Sequence, residues 1–223
     1  MRIALIDGPL DPADPKVLHA ERLRDGDGPH ARAHAAAMRA AALAGCPGAR
    51  LLSLGVFGAG LSTDAATVAA ALDRAAALGA EVALCAFGMG RRDEGIAAAC
   101  ARLLAAGTAV VAAAPARGGP CWPAALPGVV SVQGDARCGP GDWSALGPPA
   151  PDWGACPVAP GHEGAAGAST AAAHFAGLLA ARMAVNGRAA ALDALRRSAT
   201  FQGRERRNAP AGSGTTGRDG RMP

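Results

Sequence analysis

The sequence predicts an α/β protein with a mainly parallel sheet flanked by helices in three layers, and three observations carry this prediction. Short apolar runs recur along the chain, helical patterns separate them, and the two kinds of segment alternate as far as residue 132. Alternating buried strands and helices are typical of a parallel sheet that is covered on both faces. The length of 223 residues, with 50% apolar residues, suits one domain with a substantial core.

The predicted strands are apolar runs without polar alternation, as expected of strands that are buried on both faces. They span residues 2–6, 50–54, 82–86, 109–113 and 129–132. The predicted helices span residues 30–44, 63–78, 92–106, 169–186 and 188–198. Residues 133–166 are rich in Gly, Pro and Trp and are expected to form loops and short strands.

The net charge of +4 is concentrated at the C-terminus. Residues 201–223 contain five arginines against Glu205 and Asp219, and they show no apolar periodicity. We therefore predict a folded domain over residues 1–200 and a disordered basic tail over residues 201–223. Because the rest of the chain is nearly neutral, a nucleic-acid partner is not expected.

The first predicted strand begins at residue 2, and no secretion signal precedes it in this sequence. No apolar run is long enough to cross a bilayer, so we expect a cytoplasmic protein without a membrane partner. The six cysteines include no CxxC pair, which favours free thiols over a zinc or redox site. We expect neither a metal nor a cofactor.

Three polar residues occur where the predicted sheet would gather reactive groups, at strand carboxyl ends and helix N-termini. Asp7 follows the first strand, His30 begins the first helix, and Ser169 begins the long C-terminal helix. A serine hydroxyl becomes nucleophilic when an imidazole takes its proton and a carboxylate orients that imidazole. Two alternatives remain open: Ser169 as a helix N-cap, and His34, one helical turn after His30, as the base.

Three segments resemble the subtilisin-like serine peptidases, whose triad also follows the chain order Asp, His, Ser. They are IALIDGPLD at 3–11, HARAHAAAMRA at 30–40 and GASTAAAHFAG at 167–177. The intervening segments are also similar, so that the resemblance covers about residues 2–185. It implies a subtilisin-like fold and a catalytic triad of Asp7, His30 and Ser169, because the match to His30 needs no gap and the match to His34 needs one.

The same resemblance implies where substrate would bind. The walls of the primary specificity pocket would come from two segments of small residues, namely Ala86, Phe87 and Gly88 with the residues that follow them, and Ala112, Ala113 and Ala114. These walls leave room for a moderately large apolar side chain. The substrate would lie extended against them as an added strand.

The sequence departs from the family at the oxyanion hole. Family members place there an asparagine whose side chain donates to the oxyanion, and the equivalent position here is Ala116. Loss of one such donor costs about 10² to 10³ in kcat, a value measured in a subtilisin. Arg117, or a backbone N–H of Gly118 or Gly119, could replace the missing donor.

The resemblance therefore implies a serine endopeptidase that hydrolyses a specific bond in a leader or precursor peptide through an acyl-enzyme on Ser169. The chain is similar in size to a small leader-removing peptidase, which suggests one dedicated precursor as its partner. The alternative is a catalytically weak or inactive pseudopeptidase that binds a peptide or protein, because Ala116 removes a donor. A nucleotide-binding protein is a third class, but GVFGAG at 55–60 lacks the Lys-Ser/Thr ending of a phosphate loop.

Overall fold

The structure is a computed structural model that describes residues 1–26, 28–148 and 151–205. Within these residues there are eleven strands and five helices. The strands are β1 (Arg2–Asp7), β2 (Val17–Arg22), β3 (Arg50–Gly55), β4 (Val82–Cys85), β5 (Ala109–Ala113), β6 (Val130–Gly134), β7 (Trp143–Ala145), β8 (Trp153–Ala155), β9 (Val158–Ala159), β10 (His162–Ala166) and β11 (Phe201–Gln202). The helices are α1 (Pro29–Gly45), α2 (Ala65–Ala77), α3 (Glu94–Ala105), α4 (Ala168–Asn186) and α5 (Arg188–Arg197).

Nine of these strands form one sheet in the order β11-β7-β8-β6-β5-β4-β1-β3-β2. All neighbours pair in parallel except β7 and β8, which are antiparallel. At the centre, Ile3 of β1 lies between Leu51 of β3 and Val82 of β4. β9 and β10 form a separate antiparallel pair. The predicted α/β class with a mainly parallel sheet is confirmed.

The helices cover both faces of the sheet and create two cores. Side chains of α1 and α4 meet one face around Met38 and Phe175, and side chains of α2 and α3 meet the other around Leu72 and Leu103. These four side chains are fully buried, and each stabilises the fold by about 1.5 to 3 kcal/mol through burial alone. α5 packs against α4 at the end of the first core.

The two helices of the first core touch through their backbones. A Cβ atom added at Gly177 of α4 would collide with the carbonyl oxygen of Ala42 in α1. A Cβ atom added at Gly45 would collide with the backbone of α4 at Leu178. Glycine at both positions allows this close crossing, which fixes α1 and α4 relative to each other and to the sheet beneath them.

Helices α2 and α3 begin with side-chain caps, whereas α4 does not. Asp64 accepts a hydrogen bond from the backbone N–H of Thr67 at 2.8 Å, and Asp93 accepts one from Ile96 at 3.0 Å. The N-cap of α4 is Gly167, with φ of 143° and no side-chain capping bond. That backbone conformation favours glycine. Ser169 is the second residue of α4, so the alternative that it is the N-cap is wrong.

Two outer strands differ from the sequence prediction. β2 is not among the predicted strands, because its polar and charged side chains alternate with apolar ones at the sheet edge instead of forming an apolar run. The predicted disordered tail begins at residue 201, but Phe201–Gln202 pairs with β7 and extends the sheet. Residues 206–223, the rest of that tail, lie outside the described residues.

The six cysteines are free thiols, as predicted, and five of them are buried. No helix in the described part of the chain is both long enough and apolar enough to span a membrane.

Candidate active site

Asp7, the last residue of β1, is the buried carboxylate of the site. Its side chain is completely shielded from solvent, and it accepts a hydrogen bond of 2.6 Å from the backbone N–H of Gly8. A Cβ atom at Gly8 would collide with the carbonyl oxygen of Ala31, so the residue after β1 lies directly against the first turn of α1. This contact places the following turn of α1 beside the Asp7 carboxylate.

His34 of α1 lies between Asp7 and Ser169. Its Nδ1 is 2.9 Å from both carboxylate oxygens of Asp7, and its Nε2 is 3.2 Å from the hydroxyl oxygen of Ser169. Because Nδ1–H donates to the carboxylate, Nε2 holds a lone pair that can accept the serine proton. These three side chains come from β1, α1 and α4, and they form one connected hydrogen-bonded chain.

The prediction that His30 occupies the middle position is wrong. His30 is exposed in the first turn of α1, at the end of the helix. Since α1 meets β1 at Ala31, the residue that reaches Asp7 lies one turn further into the helix, at position 34. The gapless alignment selected His30, but α1 contacts the end of β1 at Ala31, so that position 34 and not position 30 reaches the carboxylate.

Ser169 is half-buried at the start of α4. Backbone N–H groups in the first turn of a helix have no acceptor within that helix, and the positive end of the helix dipole lies there. The backbone N–H of Ser169 is therefore suited to donate to an oxyanion that forms beside its side chain. The hydroxyl itself faces His34 and takes no part in capping the helix.

Burial and pairing shift the pKa values of the two titratable groups. Burial raises the pKa of the Asp7 carboxyl, and the hydrogen bond and charge of His34 counteract part of that effect. Burial acts to lower the pKa of His34, but the hydrogen bond and the charge of Asp7 outweigh it. The pKa of His34 therefore lies above its ordinary value, and the two groups titrate as a coupled pair.

His174, inside α4, has a structural role. It is buried, and its Nε2 donates a hydrogen bond of 2.9 Å to the carbonyl oxygen of Val158. Burial lowers the pKa of this imidazole. The bond ties α4 to β9, and the ring does not join the hydrogen-bonded chain around Ser169.

The two segments expected to form the walls of the specificity pocket lie close together. The space between them is smaller than their small side chains alone would indicate. Ala86, Ala112, Ala113 and Ala114 are buried, and Phe87 is half-buried with its ring edge-on to Phe57. A Cβ atom at Gly88 would collide with the sulfur of Cys121, which therefore lies against this wall. Met89 and Trp122 pair through two backbone hydrogen bonds of 2.8 and 2.9 Å and hold the two segments together.

Sequence reasoning did not identify Cys121 as a residue of this region. Its side chain reaches Gly88 only because the loop after β5 folds back along the segment after β4. Spacing along the chain carries no signal for this contact. Burial raises the pKa of the Cys121 thiol, which keeps the sulfur protonated and uncharged.

Ala116 lies exposed in the loop after β5, with no side-chain donor. The guanidinium of Arg204, from the C-terminal segment, donates a hydrogen bond of 3.5 Å to its carbonyl oxygen. A cavity of about 580 Å³ and a second of about 820 Å³ both include Ala116, Arg117 and Arg204 in their walls. Ala116, the residue predicted to occupy the oxyanion position, is therefore bordered by Arg117 and Arg204.

Within the described residues, no group of three or more His, Cys, Asp or Glu side chains could hold a metal ion. The candidate site consists of a carboxylate, an imidazole, a hydroxyl and a helix N-terminus, which are the groups needed for acyl transfer by a serine nucleophile.

The fold and this site geometry agree with solved structures of subtilisin-like protease domains. A serine-to-alanine mutant of the protease domain of PatA is similar with a TM-score of 0.61 and 19% sequence identity, over 82% of this chain and 80% of that one. Sphericase is similar with a TM-score of 0.67 and 18% identity, over 88% of this chain and 82% of that one. The chain therefore has the subtilisin-like fold.

A third similar structure is the prenylagaramide maturation protease PagA, with a TM-score of 0.58 and 16% identity, over 82% of this chain and 75% of that one. No protein-family model and no curated protein sequence matches this chain.

Proposed function

We propose that this protein is a serine endopeptidase with Asp7, His34 and Ser169 as its catalytic triad. One observation carries the proposal: the imidazole of His34 contacts the Asp7 carboxylate with one nitrogen and the Ser169 hydroxyl with the other. A serine that only capped or packed a helix would not need a buried carboxylate aligned behind an imidazole.

The chemistry follows from these contacts. Ser169 attacks the carbonyl carbon of the scissile peptide bond while its proton passes to Nε2 of His34. Asp7 stabilises the resulting imidazolium through Nδ1–H. The imidazolium then gives its proton to the departing amine, which leaves an acyl-enzyme on Ser169. Water, activated by the neutral His34, hydrolyses that ester and restores the serine.

The backbone N–H of Ser169 supplies one donor to the tetrahedral oxyanion, and Ala116 supplies none from its side chain. The absence of one donor slows such an enzyme without abolishing its activity, because the triad and the backbone donor remain. Slow turnover suits the processing of one dedicated leader or precursor peptide. One of the neighbours in fold, PagA, is itself named a maturation protease.

The second candidate function is a pseudopeptidase that binds a peptide or protein in the same groove. Ala116 favours it, because a binding protein has no need for the second oxyanion donor. The connected hydrogen bonds around His34 favour the enzyme, since a pseudopeptidase has no need to retain them.

Labelling with a fluorophosphonate separates the two functions. We expect mass spectrometry to locate a single covalent adduct on Ser169, because only a serine activated by its base reacts at an appreciable rate. The Ser169→Ala protein should fold, as judged by circular dichroism, and remain unlabelled. Ser198→Ala is the matched control and should be labelled at the wild-type rate, because the Ser198 hydroxyl is bonded to the carbonyl oxygen of Ala194 in α5 and not to the imidazole of His34. A folded wild-type protein without an adduct would instead establish the pseudopeptidase.

A further inference from the structure

The cavity of about 580 Å³ beside Ala116 has walls of an unusual composition. Most of its lining consists of Ala, Gly, Pro and Cys residues, which are small and uncharged. The charged residues that line it are Arg117 and Arg204, and this lining, as far as the structure describes it, includes no carboxylate. Ser131 also lines the cavity, and its hydroxyl is already bonded to Asp152 at 2.8 Å. Two guanidinium groups among mostly small, uncharged residues favour an anion.

The adjacent cavity of about 820 Å³ provides a contrast. The same two arginines reach it, but Asp135 and Glu205 also line it, so its charges are balanced. Asp135 is in addition paired with Arg137 at 2.7 Å. The smaller cavity is therefore the one whose described lining carries an excess of positive charge.

Neither Arg117 nor Arg204 forms an ion pair with a carboxylate in the described part of the chain. Other arginines at the surface do so: Arg74 binds Glu21 at 2.6 Å, and Arg102 binds Asp73 at 2.7 Å. Arg204 uses one N–H for the carbonyl oxygen of Ala116, which leaves further donors of its planar guanidinium. These donors can bind a carboxylate that enters the cavity.

The cavity borders segments that the resemblance assigns to the substrate site. Its walls include Ala114, from one wall of the expected substrate groove, and Ala116, at the position of the missing oxyanion donor. They also include Cys121, whose sulfur lies against Gly88 on the opposite wall. A substrate side chain next to the reacting carbonyl would therefore lead into this space.

The backbone next to Arg204 is anchored. Phe201 and Gln202 pair with β7, and Arg137 donates a hydrogen bond of 2.8 Å to the carbonyl oxygen of Gly203. An arginine that is held in position before the ligand arrives loses less conformational entropy on binding. The short strand at the end of the described chain therefore has a role in positioning this cation.

We propose that Arg117 and Arg204 bind a carboxylate of the substrate peptide in this cavity, beside the scissile bond. The inference rests on the proposed peptidase function and specifies its substrate. It replaces the sequence-based expectation of an apolar side chain at this position. The carboxylate can belong to an Asp or Glu side chain or to a peptide C-terminus, since both offer the same two oxygens.

Chromogenic peptides test the inference by hydrolysis. Acetyl-Ala-Ala-Pro-X-p-nitroanilides with Glu, Gln or Leu as X differ only in the side chain before the scissile bond. We expect kcat/KM to be higher for Glu than for Gln or Leu. Arg117→Gln and Arg204→Gln should each reduce the Glu-to-Gln ratio about tenfold, as expected for the loss of a hydrogen bond between charged groups. Arg50→Gln, the same charge change at the start of β3, next to the opposite edge of the sheet, should leave the ratio unchanged.

Two further measurements are needed. The first determines whether the carboxylate comes from a side chain or from a peptide C-terminus, and the second tests the carboxylate site independently of the proposed peptidase activity. Cleavage of acetyl-Ala-Ala-Pro-Gln-Ala as free acid and as amide, followed by mass spectrometry, reports whether a peptide C-terminus is preferred. Fluorescence anisotropy of dye-labelled Ala-Ala-Pro-Glu and Ala-Ala-Pro-Gln amides on the Ser169→Ala protein reports binding without catalysis.

Tighter binding or faster cleavage of a carboxylate peptide, lost in both arginine variants, supports the inference. If the Ser169→Ala protein binds the Glu peptide more tightly but the wild type hydrolyses nothing, the cavity assignment stands and the peptidase function fails. If Leu is cleaved fastest and neither arginine variant changes the ratios, the peptidase stands and this inference is overturned.

Discussion

The proton-transfer side and the substrate side of the candidate site differ in how they are built. Asp7, His34 and Ser169 project from a central strand and from two helices that pack on it. Arg117 and Arg204, in contrast, lie exposed on a loop and on a C-terminal segment. The first group is held by core packing, and the second by turns and edge pairing.

This difference explains which features of the subtilisin-like fold the chain keeps. A change in the packed elements would disturb the core as well as the triad, whereas a loop can replace a residue at little structural cost. Ala116, at the position where the resemblance predicts an asparagine, is exposed and lies on the loop side. The loop side is therefore where substrate preference and turnover would be adjusted, while the buried side holds the proposed nucleophile and its base.

The largest expected effect comes from removing the base on the packed side. His34→Ala should lower kcat by about 10⁶-fold, as does loss of the histidine or serine of a subtilisin triad. His30→Ala, one helical turn away and exposed, should leave kcat within about twofold, since the ring does not lie between Asp7 and Ser169. Steady-state hydrolysis of a chromogenic peptide measures both. A greater loss in His30→Ala than in His34→Ala would reverse the assignment.

The next largest effect is an increase in kcat, and it is expected from a substitution on the loop side. Ala116→Asn would restore a side-chain donor and should raise kcat by up to about 10²-fold, with little change in KM, because the donor acts on the transition state. Ala116→Leu, which adds a similar bulk but no donor, is the control and should give no gain. An unchanged kcat in Ala116→Asn would indicate that another group already donates to the oxyanion.

The smallest expected effect is a shift in the pH profile. His34 must be neutral to accept the serine proton, and its pairing with Asp7 raises its pKa above the ordinary value of 6.5. Activity is therefore present above the raised pKa and is lost as pH falls through it. The acid limb of kcat/KM between about pH 5 and 9 should have a midpoint above that ordinary value. A midpoint at or below it would contradict the pairing.

Asp7→Asn sharpens this measurement. It removes the charge that favours the imidazolium, so the midpoint of fluorophosphonate labelling should move to lower pH while the rate falls. An unshifted midpoint would mean that another group controls the acid limb.

The sequence by itself was sufficient for the central part of the fold. Runs such as IALI and VALCA are apolar throughout and are typical of strands that are buried on both faces, and the segments between them have the apolar spacing of helices. β2 and β11 were missed because edge strands are short or half-exposed, so that their side chains carry little of that signal. Their pairing depends on neighbours that are distant in the chain.

For the site, the local sequence indicated Asp7 and Ser169, because each lies at one end of an element with a clear sequence pattern. Asp7 ends a buried apolar strand, and Ser169 lies at the start of a helix of small residues. The ungapped match led to the wrong choice of His30 over His34, because residues one helical turn apart share the same face and the sequence does not separate them. Only the contact of α1 with the end of β1 decided which imidazole reaches the carboxylate. Likewise, Arg117 and Arg204 meet beside Ala116 only through tertiary packing, because a cavity and its charge are properties of segments that the folded chain brings together.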